Sequence, residues 1–345
     1  MKNVLFQVAT EFHYMISCSI IDKFYDPSMF NINIVICSRN TSRLSTLNFD
    51  KRFNYIIVKY DHNTNEQYPD IMKLMEFIYA NNFYSFYSFL YHDPLFVYLS
   101  NYLRNSGTKV YLVPDGMIAY VKFSNANVRS RLTNSINSYR FFRRHHLKFN
   151  RIWLTSWNFG RNGYYDYIIA FSKELPFISS KKIIELDYSL SLSSLKNLKN
   201  SFGVDFSHYP SLDRTVLIIN DRHKLPKYKT ELIESVRKYY PQHTILYKKH
   251  PNQEVENLTY LGSDIFGIDE IFPVELLIAS LTNSVIISVY STSMLYYNPS
   301  CVYFYSFPVC VASGEFRDDI LRIVPKSHIK VLKNLDDLLS YSEGK

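Results

Sequence analysis

The chain has 345 residues, a formal net charge of +8 and 47% apolar residues, a composition that excludes disorder and suits two ordinary domains, each with its own core. No apolar run reaches the roughly 18 to 20 residues of a membrane-spanning helix, and Met1-Lys2-Asn3 leads straight into a strand-like run rather than a signal-peptide pattern, so a cytoplasmic protein is expected. With 30 Tyr and 25 Phe but only 9 Gly, few positions remain for a glycine-rich phosphate loop, and the sequence contains no G-x-G-x-x-G or P-loop.

Apolar, β-branched runs at 3–9 (NVLFQVA), 32–38 (INIVICS) and 55–60 (YIIVKY) read as strands, and residues 11–24 carry apolar side chains at helical spacing. This βαβ order predicts a parallel sheet with right-handed crossovers. Helices are expected over 71–81 and 94–104, followed by a strand over 109–113 with Asp115 and Gly116 at its tip. A polar, basic and partly helical stretch over 122–148 precedes strands at 167–172 and 182–186. The Ser- and Asn-rich run 189–213 has weak periodicity and reads as an interdomain connection. The second half repeats the alternation: strand 215–220, helix 228–239, strand 243–249 with His250 at its end, helix 273–281, strand 284–290, a helical turn at 292–297 and strand 301–307. The expectation is an α/β protein of two Rossmann-like domains facing a central cleft. It assigns 1–188 to the first domain, 189–213 to the connection, 214–325 to the second domain, and 326–345 to a tail packing back on the first.

Three polar clusters stand at the ends of apolar runs, where ligands bind in open α/β sheets. Asp115 can serve as a general base at a turn made by Gly116, or simply form an Asp-Gly turn. His250, held extended by Pro251 and preceded by Lys248 and Lys249, can donate to a departing phosphate, or be an ordinary strand-end histidine. Ser291, Thr292 and Ser293 open a helical turn, where hydroxyls and backbone N–H groups can bind an anion or cap the turn. Glu275, in Pro273-Val274-Glu275, either complements a helix dipole or accepts hydrogen bonds from ribose hydroxyls.

Arg140, Arg143, Arg144 and Lys148 interleave with Phe141 and Phe142. This patch suits phosphate, an anionic membrane surface or an acidic glycan, or else is a solvated helix face. Cys18, Cys37, Cys301 and Cys310 have no C-x-x-C spacing and read as buried free thiols. No H-E-x-x-H, G-x-S-x-G or zinc-type Cys/His spacing occurs, and no D-x-D triplet holds a metal against a sugar diphosphate. No metal site and no cofactor are therefore expected.

Together the clusters resemble the bacterial sialyltransferases and polysialyltransferases of GT-B fold. That family shows an acidic-residue-Gly motif, a His-Pro motif and a Ser/Thr pair, matched here by Pro114-Asp115-Gly116, Lys249-His250-Pro251 and Ser291-Thr292-Ser293. Residues 290–299 (YSTSMLYYNP) are similar to the serine motif of the capsular branch, and Glu275 to the family's ribose-binding glutamate. Where the family usually has two acidic residues before the glycine, this chain has Pro114 and Asp115.

The resemblance implies a GT-B-like fold and an inverting, metal-independent transfer of a nonulosonic acid from a CMP-activated donor to a hydroxyl of a capsule, O-antigen or lipooligosaccharide. Asp115 would be the base and His250 the donor to the CMP phosphate. Gly116, Pro251, Glu275, Ser291, Thr292 and Ser293 would line the CMP site, while Arg140, Arg143, Arg144 and Lys148 would face a lipid-linked glycan at the inner face of the cytoplasmic membrane. Nucleic acid is not an expected partner. Two other readings compete: a CDP-polyol phosphotransferase of the teichoic-acid type, and a noncatalytic protein that binds glycans or polyanions.

Overall fold

In the computed structural model, the described residues are 1–38, 44, 47–59, 69–90, 93–116, 128–148, 163–171, 181–220, 226–249, 262–268, 272–289, 291–306 and 328–339. They form two compact units, Met1–Phe202 and Gly203–Lys345.

Unit 1 contains, in chain order, β1 (Lys2–Val8), α1 (Glu11–Phe24), β2 (Phe30–Ser38), β3 (Asn54–Lys59), α2 (Pro69–Ala80), β4 (Phe83–Ser88), α3 (Pro94–Asn105), β5 (Lys109–Leu112), α4 (Val128–Arg144), β6 (Tyr167–Ala170), β7 (Lys182–Glu185) and α5 (Leu192–Phe202). Its seven strands are parallel in the order β3-β2-β1-β4-β5-β6-β7. The helices start where local chemistry permits: the Thr10 hydroxyl accepts from the His13 N–H at the head of α1, and Asp93 accepts from Leu95 N–H ahead of Pro94 in α3.

The aromatic-rich composition has a structural use in this sheet. Register sets Phe6 beside Tyr87, Tyr87 beside Tyr111, and Tyr111 beside Tyr167. Their rings stack across β1, β4, β5 and β6 with centroids 4.5, 4.6 and 4.8 Å apart, close to the separation of neighbouring strands. A slip of one residue would send a ring to the opposite face and break the row.

Unit 2 contains β8 (Thr215–Ile219), α6 (Pro226–Tyr239), β9 (Thr244–Lys248), β10 (Ile265–Ile268), α7 (Val274–Ile278), β11 (Ser284–Ser288), a 3₁₀ turn (Thr292–Leu295), β12 (Cys301–Tyr305), β13 (Ile329–Val331) and a second 3₁₀ turn (Leu335–Leu338). Its six strands are parallel in the order β10-β9-β8-β11-β12-β13. Val216, Ile218, Val285 and Ile287 of the sheet pack with Leu232, Ile233 and Val236 of α6.

Two expected boundaries differ from the structure. The run 189–213 contains α5, which belongs to unit 1. Its serines are structural: Ser194 Oγ and Ser191 N–H donate to the Asp22 carboxylate of α1, at 2.7 and 3.0 Å, and Ser19 Oγ donates to Ser189 O at 2.6 Å. The tail expected to return to the first domain is part of unit 2's own sheet and core. β13 pairs with β12, and Leu332 and Leu338 are buried in the cluster under α6. Tyr239 Oη donates to Asp336 at 2.5 Å and Tyr240 Oη to Leu338 O at 3.2 Å, which ties the second 3₁₀ turn to the end of α6. Cys18, Cys37 and Cys301 are buried free thiols, and Cys310 lies outside the described residues.

Candidate active site

In unit 1, β1 is the strand at which the chain reverses its direction across the sheet, with β2 on one side and β4 on the other. Ligands of open α/β sheets bind at the carboxyl ends of strands beside such a switch point. Asp115 arrives there from β5. The Val113 N–H still donates to Ser88 O at 2.9 Å, and Gly116 then turns the chain at φ 91°, a backbone region that an L side chain rarely adopts. The Asp115 side chain is left one-third exposed (33%).

His13, in the first turn of α1, meets Asp115. Its Nε2 is 2.5 Å from Asp115 Oδ1, its Nδ1 accepts from the Ala9 N–H at 3.2 Å, and its side chain is fully buried. The ring stacks on Phe89, just past β4, with centroids 4.5 Å apart and planes 17° from parallel. Sequence reasoning found Asp115 and missed His13, because the two stand 102 positions apart and His13 belongs to no motif. The available signal was a polar ring a few residues beyond the end of a buried strand.

In unit 2, Glu275 sits in α7 and is 3% exposed. Burial pushes its carboxyl above the usual carboxylate range, while its own backbone N–H and the Ser293 hydroxyl, both donating to it, pull the other way. The Tyr296 phenol is pushed up to about 12, first by burial and then by the nearby Glu275 charge. Two motifs separated in sequence, Pro273-Val274-Glu275 and Ser291-Thr292-Ser293, are therefore brought together, with the Ser293 hydroxyl beside the Glu275 carboxyl.

Ser291 holds the neighbouring backbone. Its Oγ accepts from Ser293 N–H at 3.4 Å, its N–H donates to Ser288 Oγ at 3.0 Å, and Tyr305 Oη donates to its carbonyl at 2.9 Å. Capping is thus one role of the serine cluster. Thr292 is half-buried in the same turn. His250 and Pro251 lie outside the described residues. Before them, Lys248 is buried at the end of β9, with Nζ 4.8 Å from the centroid of the Phe272 ring.

A small recess of about 20 Å³ opens at the carboxyl ends of β8 and β11, the switch point of the second sheet. Asn220, Lys229, Tyr247, Ser288, Val289 and Ser306 are among its walls, and Ser288 connects it to the Ser291 turn. At this size it admits about one water molecule, so it marks the switch point and is not a formed ligand chamber.

The basic segment is rearranged relative to its sequence pattern. Arg140, Arg143 and Lys148 are exposed and Arg144 is half-buried, whereas Phe141 and Phe142 are core residues at 2% exposure. The aromatics are thus not interleaved with the cations on the surface, since helical periodicity turns them to the opposite face of α4. The neighbouring His145 is buried too, and burial, followed by the charges of Arg144 and His146, lowers its imidazole to about 4. Leu132, Ile136 and Tyr139 of α4 are exposed in the same helix as Arg140 and Arg143. No helix among the described residues is long and apolar enough to cross a membrane.

Comparison with known proteins gives a family and a fold. The family model for alpha-2,8-polysialyltransferase (POLYST) matches residues 51–301. No curated protein matches the sequence. Among solved structures, a sialyltransferase from Photobacterium damselae (residues 113–497, its GT-B domain) aligns with a TM-score of 0.52 at 12% identity, covering 99% of this chain and 97% of that one. The S. aureus MnaA–UDP co-structure aligns with a TM-score of 0.51 at 12% identity, covering 99% and 87%. A UDP-GlcNAc 2-epimerase from Neisseria meningitidis bound to UDP-GlcNAc gives 0.51 at 12% identity, covering 98% and 89%. At such identities the likeness establishes the fold. The family match spans most of the chain, and the protein accordingly belongs to the alpha-2,8-polysialyltransferase family, a glycosyltransferase of GT-B fold that works with a nucleotide-sugar donor and a glycan acceptor.

Proposed function

We propose that the protein moves sialic acid or a related nonulosonic acid from a CMP-activated donor to a hydroxyl of a bacterial surface glycan, with inversion and without a metal. The observation that carries this reading is the convergence of Glu275 and Ser293 in unit 2, beside a recess at the sheet's switch point. Glu275 accepts from the ribose hydroxyls, and Ser291, Thr292 and Ser293 contact the phosphate or the donor carboxylate. Asp115 takes the proton of the acceptor hydroxyl as that oxygen bonds to the anomeric carbon. The bond from that carbon to the phosphate oxygen breaks, and its electron pair leaves with CMP. His250, followed by Pro251, donates to the departing phosphate. A single displacement of this kind inverts the anomeric centre, and a leaving group with one phosphate can be stabilised by protein donors alone.

The reading also has the enzyme work peripherally at the inner face of the cytoplasmic membrane on a lipid-linked glycan. Exposed Leu132, Ile136 and Tyr139 alongside Arg140 and Arg143 form a mixed apolar and cationic surface suited to anionic headgroups, with Arg144 and Lys148 adding charge. Sedimentation with anionic vesicles should weaken when Arg140, Arg143 and Lys148 are replaced by Glu, and unchanged sedimentation would remove the membrane from the proposal.

The donor is tested by melting the protein with CMP, CDP, UDP and GDP. A ligand at about 100 times its dissociation constant adds roughly 2.7 kcal/mol, enough to move the melting point visibly. A shift with CMP that Glu275→Ala abolishes is expected, followed by transfer from a CMP-nonulosonate in a product assay. Asp115→Asn should keep the CMP shift and lower kcat by about 10²- to 10⁴-fold. A response to CDP or UDP but not CMP would overturn the reading, and a phosphorus-containing product would replace it with polyol phosphate transfer.

A further inference from the structure

The geometry points to His13 as the residue that positions Asp115 for proton abstraction, acting as a fixed neutral donor and not as a base. The inference rests on Asp115 being the base proposed above. A histidine beside a carboxylate invites the opposite assignment, with the imidazole taking the proton and the acid orienting it, as in hydrolase triads. Here both ring nitrogens are already committed. Nδ1 accepts from the Ala9 N–H at 3.2 Å, so it carries no proton, and the single imidazole proton resides on Nε2, 2.5 Å from Asp115 Oδ1. The His13 side chain is fully buried, so neither nitrogen is open to a substrate hydroxyl, whereas the Asp115 side chain is one-third exposed. Only the carboxylate of the pair can reach an acceptor.

The surroundings make the donor rigid. His13 is anchored three ways: by the Ala9 N–H at the end of β1, by stacking on Phe89 past β4, and by its own N–H bonded to Thr10 Oγ1 at 3.2 Å. Its carbonyl accepts from Ser17 Oγ at 2.8 Å. Asp115 arrives from a third strand, β5, and Gly116 fixes the direction of its approach. One oxygen of the carboxylate is thereby occupied and the plane of the group set, while the other takes the acceptor proton. Throughout the transfer His13 keeps its proton: the acceptor O–H bond breaks, the new O–H bond forms on Asp115, and the Nε2–H bond to Oδ1 persists. Among the described residues, no other titratable group is bonded to either member of the pair.

The first test needs no substrate. Imidazole ¹⁵N signals at neutral pH should show Nε2 protonated and Nδ1 bare for His13, with the Nε2 proton far downfield and moving upfield in Asp115→Asn. A protonated Nδ1, or a proton signal indifferent to Asp115→Asn, would overturn the inference. The second test uses transfer kinetics with a CMP-nonulosonate donor. His13→Phe, which keeps a ring on Phe89, should lower kcat about 10- to 100-fold with the donor KM unchanged, and His13→Gln, whose Nε2 can still donate to Asp115, should restore much of the loss. Equal loss in both variants, or a change in KM alone, would refute a positioning role. If His13→Phe does not fold, the His13→Gln comparison and the wild-type ¹⁵N spectrum still decide the matter. The expected ¹⁵N pattern in a protein that shows no transfer from CMP donors would refute the proposed function while upholding the His13–Asp115 arrangement.

Discussion

Glu275→Gln removes a buried ionisable group while keeping its shape. In the folded protein burial makes the Glu275 carboxyl hold its proton to higher pH than in the unfolded chain, where glutamate titrates near 4.3. Between those two values unfolding releases a proton, so the stability this group contributes is complete below the unfolded value and is lost as pH rises through the folded one. One linked proton tilts the unfolding free energy by at most about 1.4 kcal/mol per pH unit. Urea unfolding of both proteins from about pH 4 upward should give a difference curve that favours the variant increasingly until the folded carboxyl ionises, and that is level above that point. Above the pH at which the Glu275 carboxyl ionises, the same variant should bind CMP about 10- to 100-fold more weakly than the wild type, because each hydrogen bond to a charged acceptor contributes roughly 1.5–3 kcal/mol and an amide oxygen accepts less strongly. A flat difference curve would refute the argument from burial. Unchanged CMP affinity would remove Glu275 from the donor site.

Gly116→Ala should cost about 1–2 kcal/mol in urea unfolding because of the left-handed backbone, and should lower kcat by misdirecting Asp115; Gly116→Asn should lose less. Leu338→Ala should destabilise unit 2 by about 2–5 kcal/mol, since Leu338 is fully buried in the cluster under α6, and a loss below about 0.5 kcal/mol would mean that the tail is not part of that core.

The sequence made much of this architecture legible through periodicity. Runs such as TVLII of β8 and SVIIS of β11 are uniformly buried and β-branched, which admits little besides a central parallel strand. β4 escaped because FYSFYS mixes serine with aromatics and has no β-branched residue, yet it lies beside β1 in the middle of the sheet. Its polar atoms are satisfied by tertiary partners that composition cannot reveal: the Tyr25 hydroxyl bonds to both Ser85 and Tyr87, at 2.8 and 2.6 Å. The run 189–213 looked like a linker for the related reason that its serines find Asp22 only once α1 is in place. Among the candidate residues, Asp115, Glu275 and the serines stood out because each ends or begins an element. The Glu275–Ser293 contact required the two elements to be neighbours in space, and His13 required a partner 102 positions further along the chain.

Each sheet draws all its strands from its own half of the chain, and this has a bearing on biosynthesis. The last residue of unit 1, Phe202, is made before the first strand of unit 2 begins. At a synthesis rate of about 5–20 residues per second, unit 2 takes on the order of ten seconds to make, long enough for the first sheet to form on the ribosome without competition from the second. Unit 2 closes late in its own order: β13 and the leucines that complete its core follow its other strands in the chain. A premature stop before β13 should therefore release a protein with a finished first unit and an unfinished second, exposing the apolar face of α6 to proteolysis and chaperones.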